Sequence, residues 1–348
     1  MSRRGKLEKM ENGRNNVRLG NKNKSKKKII IGIIIFFIIV ISIPVYIVWS
    51  KLSKINYEKL DVGSLDVNKE VYNEVADSVS KAEFNDIVNV ALFGSDSRDM
   101  SNDEAGRSDS IMIASINPAK KNIKLISIPR DTYVNVPGYG KTKINHAYAY
   151  GSEQLSIKTI NSNFGLNIDK YVTVNFEGLI NIINEVGGIE LTITKDEMNV
   201  LNDYLKESYK ISGKKYTPMN KYGKVTLNGE QALAHSRNRY VGNDFTRANR
   251  QRDVLMALFT KISTMDKTKI LSLMDSFLKE VKTNMNITSY MGLITSVISN
   301  MGEYKSNIVS TQIPSLDYSS GQTISGVYYF VTDMDKAKQD FITYLYKK

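Results

Sequence analysis

Two acidic loops and one cluster of arginines are the parts of this sequence best suited to chemistry. Gly94-Ser95-Asp96-Ser97-Arg98 follows a short apolar run, and Arg107-Ser108-Asp109 immediately precedes another. Asp96 and Asp109 are carboxylates on Gly/Ser-rich loops, a reasonable site for a hard cation. Mg²⁺ typically takes one or two carboxylates and fills its octahedron with water and phosphate oxygens. Aspartates in such loops also commonly just cap turns, so the pair alone leaves both readings open. Pro129-Arg130-Asp131 closes a third apolar run. An Arg beside an Asp is most often a solvated ion pair of little worth, but here it adds a third charged element to the same rim.

The densest signal is HSRNRYVGNDFTRANRQRD over residues 235–253. Arg237 and Arg239 are two apart, so in an extended segment they share a face. Asp244 reads as the N-cap of a helix. Within that helix Arg247, Arg250 and Gln251 lie at i, i+3 and i+4 and share a stripe that runs on into Val254 and Leu258, toward a core. With Arg252 this makes five close arginines, and Asp244 and Asp253 offset only part of their charge. Guanidinium groups grip phosphate bidentately, and a helix N-terminus adds partial positive charge. A solvated basic face is the bland reading of such a run; phosphate binding is the better one. Asp244 is also a candidate base or arginine-orienting residue. The aromatic interleaving of a single-strand nucleic-acid groove is missing. His146 and His235 are too few and too far apart for a metal site and read as structural or rim residues. No G-x-S-x-G elbow or Walker loop occurs. The absence of cysteine excludes disulfides, thiolate metal sites and a Cys nucleophile.

The elements that must position these residues are legible as a mixed sheet flanked by helices, an α/β fold. Strands are predicted over 87–93 (IVNVALF), 110–116 (SIMIASI) and 123–128 (IKLISI), the last two joined by the short NPAKKN link as an antiparallel hairpin. If the first two are also antiparallel, the loop after Phe93, the residues before Ser110 and those after Ile128 meet at one end of the sheet, where α/β proteins commonly place ligands. Helical spacing marks 153–164, 176–186, 227–234, 244–263, 269–281, 289–301 and 334–346. Further strands are predicted over 171–174, 189–193, 307–313 and 327–331.

Ahead of this domain, residues 29–49 (IIIGIIIFFIIVISIPVYIVW) carry no charge. At about 1.5 Å per residue such a helix spans roughly the 30 Å hydrocarbon core of a bilayer, with Tyr46 and Trp49 where interfacial aromatics belong. A cleaved signal peptide would have a shorter apolar region and a small-residue cleavage site. Residues 1–28 hold eleven Lys and Arg against Glu8 and Glu11, so the tail stays cytoplasmic and the remainder faces outward. That tail carries +9 of the net +12, leaving +3 for the rest. The basic balance is thus mostly a topology signal and argues against a nucleic-acid partner. The expected organisation is a tail (1–28), a transmembrane helix (29–49), a stalk or accessory segment (50–86), a catalytic core (87–262), and a C-terminal part of the same extracellular domain (263–348).

Taken together the motifs resemble the LytR-CpsA-Psr family of bacterial envelope proteins. The likeness is carried by GSDSR (94–98), GRSDSIMIASINP (106–118), LISIPRDTYVNVPGYGKTKINHAYAYG (125–151), YVTVNFEGLINIINEVGGIEL (171–191), LNGEQALAHSRNRY (227–240) and DFTRANRQRDVL (244–255). The resemblance implies a three-layer domain that attaches phosphate-linked glycopolymers, such as teichoic acids, to peptidoglycan. The donor would be a polyprenyl-pyrophosphate-linked polymer and the acceptor a hydroxyl of N-acetylmuramic acid. It implies Mg²⁺ (or Mn²⁺) on Asp96 and Asp109, and pyrophosphate held by Arg107, Arg130, Arg237, Arg239 and Arg247, with Arg250 and Gln251 lining the same site. Asp96, Asp109, Arg130 and Arg239 would be the catalytic set. An apolar cavity under the sheet would hold the prenyl chain, with helices 176–186 and 254–262 contributing. Thr246 stands where the family usually has Gly, and His235 where an aromatic is frequent. Water as acceptor, making a pyrophosphatase, and a non-enzymatic envelope or regulatory binder are the rival readings.

Overall fold

The computed structural model describes residues 56–95, 106, 108–212, 217–238 and 244–347. The predicted membrane span over 29–49 lies outside them; among the described residues no helix is long and apolar enough to cross a membrane. The strands are β1 (Asn56–Tyr57), β2 (Val88–Ser95), β3 (Ser108–Asn117), β4 (Asn122–Ile128), β5 (Tyr133–Val136), β6 (Gly140–Lys143), β7 (Lys170–Asn175), β8 (Ile189–Ile193), β9 (Gly223–Leu227), β10 (Val281–Thr283), β11 (Ile308–Gln312), β12 (Ser319–Ile324) and β13 (Val327–Thr332). Seven of them form one sheet in the order β1-β10-β7-β2-β3-β4-β11; β5–β6, β8–β9 and β12–β13 are separate two-stranded ribbons.

The centre of the sheet follows from its sequence. β2, β3 and β4 are near-continuous apolar runs, the pattern of strands covered on both faces. As expected, β3 pairs antiparallel with β4; β2 also pairs antiparallel with β3, the condition under which the three loops meet at one end. β7 lies parallel to β2 on the other side. On one face Phe93, Ile113 and Ile126 join a core with Ile157 and Ile160 of the helix His146–Phe164 and Phe341 of the helix Met334–Ile342. On the other, Ala114 and Leu125 meet Leu255 and Phe259 of the helix Asp244–Ser263, and Tyr304. The sheet is mixed and has helices on both faces.

Several elements differ from the sequence reading. Leu227 ends β9, paired with Ile189, instead of opening a helix. The helix is Gly229–Arg237, started by a capping box between Asn228 and Gln231. Gly229 is needed there, because a Cβ would lie 2.3 Å from the Ile180 carbonyl oxygen. The helix expected from residue 153 begins at His146 and breaks at Gly151 and Ser152. Just past that break Glu153, 1 % exposed, accepts from the Tyr148 hydroxyl at 3.0 Å and from Thr173 Oγ1 at 2.8 Å, and pairs with Lys282 at 3.3 Å. It thereby ties the helix to β7 and β10. β10 and the helix Lys267–Lys279 share the stretch read as one helix over 269–281. The helix Lys195–Ser212 and the strands β5, β6 and β12 were not foreseen. Within the segment expected to be a stalk or accessory segment, 50–86, the described residues contribute Leu60, Leu65, Val71, Val75 and Val79 to the main core.

Candidate functional site

The site grows from an irregularity in the sheet. Gly94 pairs with Ser110 and Ser95 with Ser108, so Asp109 is an extra residue on β3. Such a bulge leaves its residue out of the ladder and re-aims its side chain. Gly94 suits the spot, since a Cβ would sit 3.0 Å from that of Ser110. The Asp109 carboxylate takes one guanidinium on each oxygen: Arg130 at 2.7 Å and Arg247 at 3.1 Å. Arg247 and Gln251 also donate to the Asp109 carbonyl, each at 3.3 Å. Three elements therefore converge on one residue: the start of β3, the turn after β4, and the helix Asp244–Ser263.

Arg130 is held by its surroundings. Thr132 donates to the Pro129 carbonyl through both its N–H (3.0 Å) and its hydroxyl (2.6 Å), closing the turn. Asp131, buried, pairs with Lys143 of β6 at 2.7 Å. Among the described residues Arg130, Arg247 and Lys143 face Asp109 and Asp131 here, an excess of positive charge that attracts anions. Arg237, last in its helix, lies over the Phe176 ring at 5.0 Å.

Asp109, Arg237, Arg247 and Gln251 crown a cavity of about 220 Å³. Its body is apolar: Leu92, Met112, Val172 and Val174 from the sheet, Phe176 and Leu179 from the helix Phe176–Glu185, and Val254 and Leu255 from the helix Asp244–Ser263. Its polar lining includes Asp109 at the start of β3, Arg237 at the end of its helix, and Arg247 and Gln251 of the helix Asp244–Ser263. A long apolar tail bearing an anionic head fits such a cavity.

The structure gathers Asp109, Arg130, Arg247 and Gln251, and puts Arg237 on the same cavity. Arg250 does not belong with them. Its Nε bonds Glu197 at 2.8 Å and its Nη1 the Asn238 carbonyl at 3.1 Å, in a buried pocket behind the helix. The shared stripe expected for Arg247, Arg250 and Gln251 splits because the unforeseen helix Lys195–Ser212 brings Glu197 to Arg250. Burial tends to raise the Glu197 carboxyl, but the Thr194 N–H and Arg250 outweigh it and hold the group below the usual range. Asp96, Arg107 and Arg239 lie outside the described residues, as does the side chain of Asp244. Arg252, not assigned a role from sequence, is buried and bonds Ser127 of β4 and Asn249, fastening its helix to the sheet.

His235 is structural, 4 % exposed, and burial pushes its imidazole down to about 4. The unfolded chain takes up a proton below about pH 6.5, whereas the folded one does so only near 4. Stability should therefore fall as the pH drops through this window, by up to a few kcal/mol from this group. His235→Phe is expected to flatten that part of the curve, as read by thermal unfolding between pH 6.5 and 4.5. An unchanged slope would refute the assignment.

Among the described residues no group of three or more metal-binding side chains occurs. Asp109 nevertheless fits one half of the expected two-carboxylate cation site. It is a side chain of the type Mg²⁺ takes, and it already carries two guanidinium bonds.

Comparison with known proteins agrees with this geometry. Residues 55–343 match the model of the LytR_cpsA_psr family. The chain is 33 % identical over 322 residues to the polyisoprenyl-teichoic acid–peptidoglycan teichoic acid transferase TagU of Bacillus cereus (strain AH820), covering 90 % of this chain and 95 % of that one. It is 30 % identical over 257 residues to the corresponding transferase TagT of Bacillus subtilis (strain 168), covering 73 % and 74 %. Among solved structures it is similar to TagT bound to LIIa-WTA, with a TM-score of 0.60 and 30 % identity over 75 % of this chain and 89 % of that one. It is also similar to TagT with bound octaprenyl pyrophosphate lipid, with a TM-score of 0.55 and 28 % identity over 75 % and 90 %.

Proposed function

The chain belongs to the LytR-CpsA-Psr family, and from that premise we propose that it is a membrane-anchored phosphotransferase. It moves an anionic, phosphate-linked glycopolymer of the teichoic acid class from a polyprenyl-pyrophosphate carrier to a sugar hydroxyl of peptidoglycan. The observation that carries this reading is the apolar cavity crowned by Arg237, Arg247 and the Asp109 bulge. It suits a prenyl chain in the body and a pyrophosphate at the crown, and a relative has been solved with octaprenyl pyrophosphate.

In this reading Arg130, Arg237 and Arg247 bind the pyrophosphate, joined by Arg107 and Arg239. Asp109 keeps the Arg130 and Arg247 guanidiniums apart and aimed. The N-acetylmuramic acid hydroxyl oxygen attacks the polymer-bearing phosphorus. Its O–H bond breaks and a new O–P bond forms, while the P–O bond to polyprenyl phosphate breaks and the departing phosphate oxygen can take up the released proton. Charge grows on the leaving phosphate, where preorganised guanidiniums contribute most. Asp96 and Asp109 would hold Mg²⁺ or Mn²⁺, which would supply further neutralisation of the pyrophosphate. The uncharged run over 29–49 would keep the enzyme in the plane of its lipid donor, with the domain outside the cell.

The test uses the full chain in micelles with a lipid-pyrophosphate-linked saccharide, Mg²⁺ and uncrosslinked glycan strands. Saccharide phosphate covalently joined to glycan is the expected product. Equal release of saccharide phosphate with and without glycan would instead make the protein a pyrophosphatase, and the absence of any product would make it a binder.

A further inference from the structure

A second, smaller hollow backs onto the same wall. Asp109, Arg130, Arg247 and Gln251 are among its lining residues, together with Tyr328 and Phe330 of β13. Asp109, Arg247 and Gln251 thus border both hollows. The smaller measures about 30 Å³, room for roughly two water-sized groups. A hydroxymethyl arm fits inside it, while a sugar ring must stay outside.

Tyr328 forms the outer rim and is 43 % exposed. Its ring is pre-set by Gly321 on β12, where a Cβ would come within 2.6 Å of Tyr328 Cε2. The β12–β13 ribbon is no part of the main sheet, yet it is fixed to the site. The Phe330 N–H donates to the Asp131 carbonyl at 2.8 Å, and Thr132 forms a bridge with Phe330. Nothing in phosphate gripping calls for an exposed tyrosine carried on a separate ribbon beside Arg130.

Phosphoryl transfer places the attacking and leaving oxygens roughly in line, on opposite sides of phosphorus. The prenyl phosphate leaves on the side of the apolar cavity. The attacking hydroxyl must then arrive from another side, and among the described residues the smaller hollow, which shares Asp109, Arg247 and Gln251 with the cavity, offers such an approach. We propose that this hollow is the acceptor subsite: an N-acetylhexosamine ring of the glycan strand stacks its C–H face on Tyr328 and reaches a primary hydroxyl past Arg130. Tyrosine supplies an amphipathic platform of this kind at low entropic cost. The inference rests on the transferase reading for the identity of the acceptor.

Its test is direct binding, read without turnover. Calorimetry would follow a soluble, uncrosslinked glycan strand titrated into the full chain in micelles, alongside octaprenyl pyrophosphate. Tyr328→Ala should weaken glycan binding about five- to tenfold, the loss of one ring contact. Tyr328→Phe and Tyr328→Trp, which keep a platform, should stay within about threefold of the parent. All three should hold octaprenyl pyrophosphate like the parent. Unchanged glycan affinity in Tyr328→Ala, equal loss of both ligands, or a parent chain with no glycan affinity would overturn the subsite. A parent that binds glycan but transfers nothing would overturn the transferase reading alone.

Discussion

Replacing Asp109 by Asn should cut transfer by about a hundred- to a thousandfold and leave the domain folded. The carboxylate bonds Arg130 on one oxygen and Arg247 on the other. Asparagine keeps the shape but turns an N–H₂ toward one guanidinium, so donor faces donor and one arginine swings away. The variant also loses half of the proposed cation site. Removing one preorganised electrostatic partner typically costs about 10²–10³ in rate. The stability loss should be smaller, about 1–3 kcal/mol, because the Asp109 and Arg130 side chains keep 16 % and 21 % of their surface in solvent. Initial rates with saturating donor, together with a thermal melt, check both halves. A rate within tenfold of the parent at an unchanged melting temperature would remove Asp109 from the machinery.

Filling the cavity should be nearly as damaging, but in binding. Leu179→Trp places an indole where the prenyl chain is expected, among Val172, Phe176 and Val254. Displacing one five-carbon isoprene unit forfeits about 3–4 kcal/mol of apolar burial at roughly 0.8 kcal/mol per carbon, a hundredfold or more in affinity. A donor with a very short prenyl tail should lose much less, since its pyrophosphate still meets the arginines. Titrations with long- and short-tailed donors separate the two contributions. Equal losses for both tails would mean that the cavity does not hold the lipid.

How much of this was legible in the sequence differs from element to element. The three central strands and the antiparallel hairpin of the last two could be read because β-branched runs ended at Gly94, Asn117-Pro118 and Pro129, while the antiparallel pairing of the first two stood only as a condition. The hairpin brings Asp109 and Arg130 to one rim without any tertiary knowledge. The bulge was not legible, because one unpaired residue in a ladder leaves no local pattern; only the register of β2 against β3 reveals it. Arg250 was misplaced for a related reason. Helical spacing says which residues share a stripe, but Glu197, more than fifty positions earlier, decides where that guanidinium goes. The helix carrying Glu197 is rich in charged residues and buries Leu201 and Leu205. Tyr328 lies nearly two hundred residues from Arg130 and carries no motif, so only the β13 ribbon brings it to the site.

The central claim is that a sugar oxygen attacks the polymer-side phosphorus while the prenyl phosphate leaves into the cavity side. The lipid product reports this directly. In a reaction of the full chain with the lipid-linked saccharide and glycan strands, mass spectrometry would count the released lipid against glycan-bound saccharide. One polyprenyl monophosphate for each saccharide phosphate joined to glycan is the result this account requires. Release of intact polyprenyl pyrophosphate, with the saccharide joined to glycan without phosphorus, would contradict it.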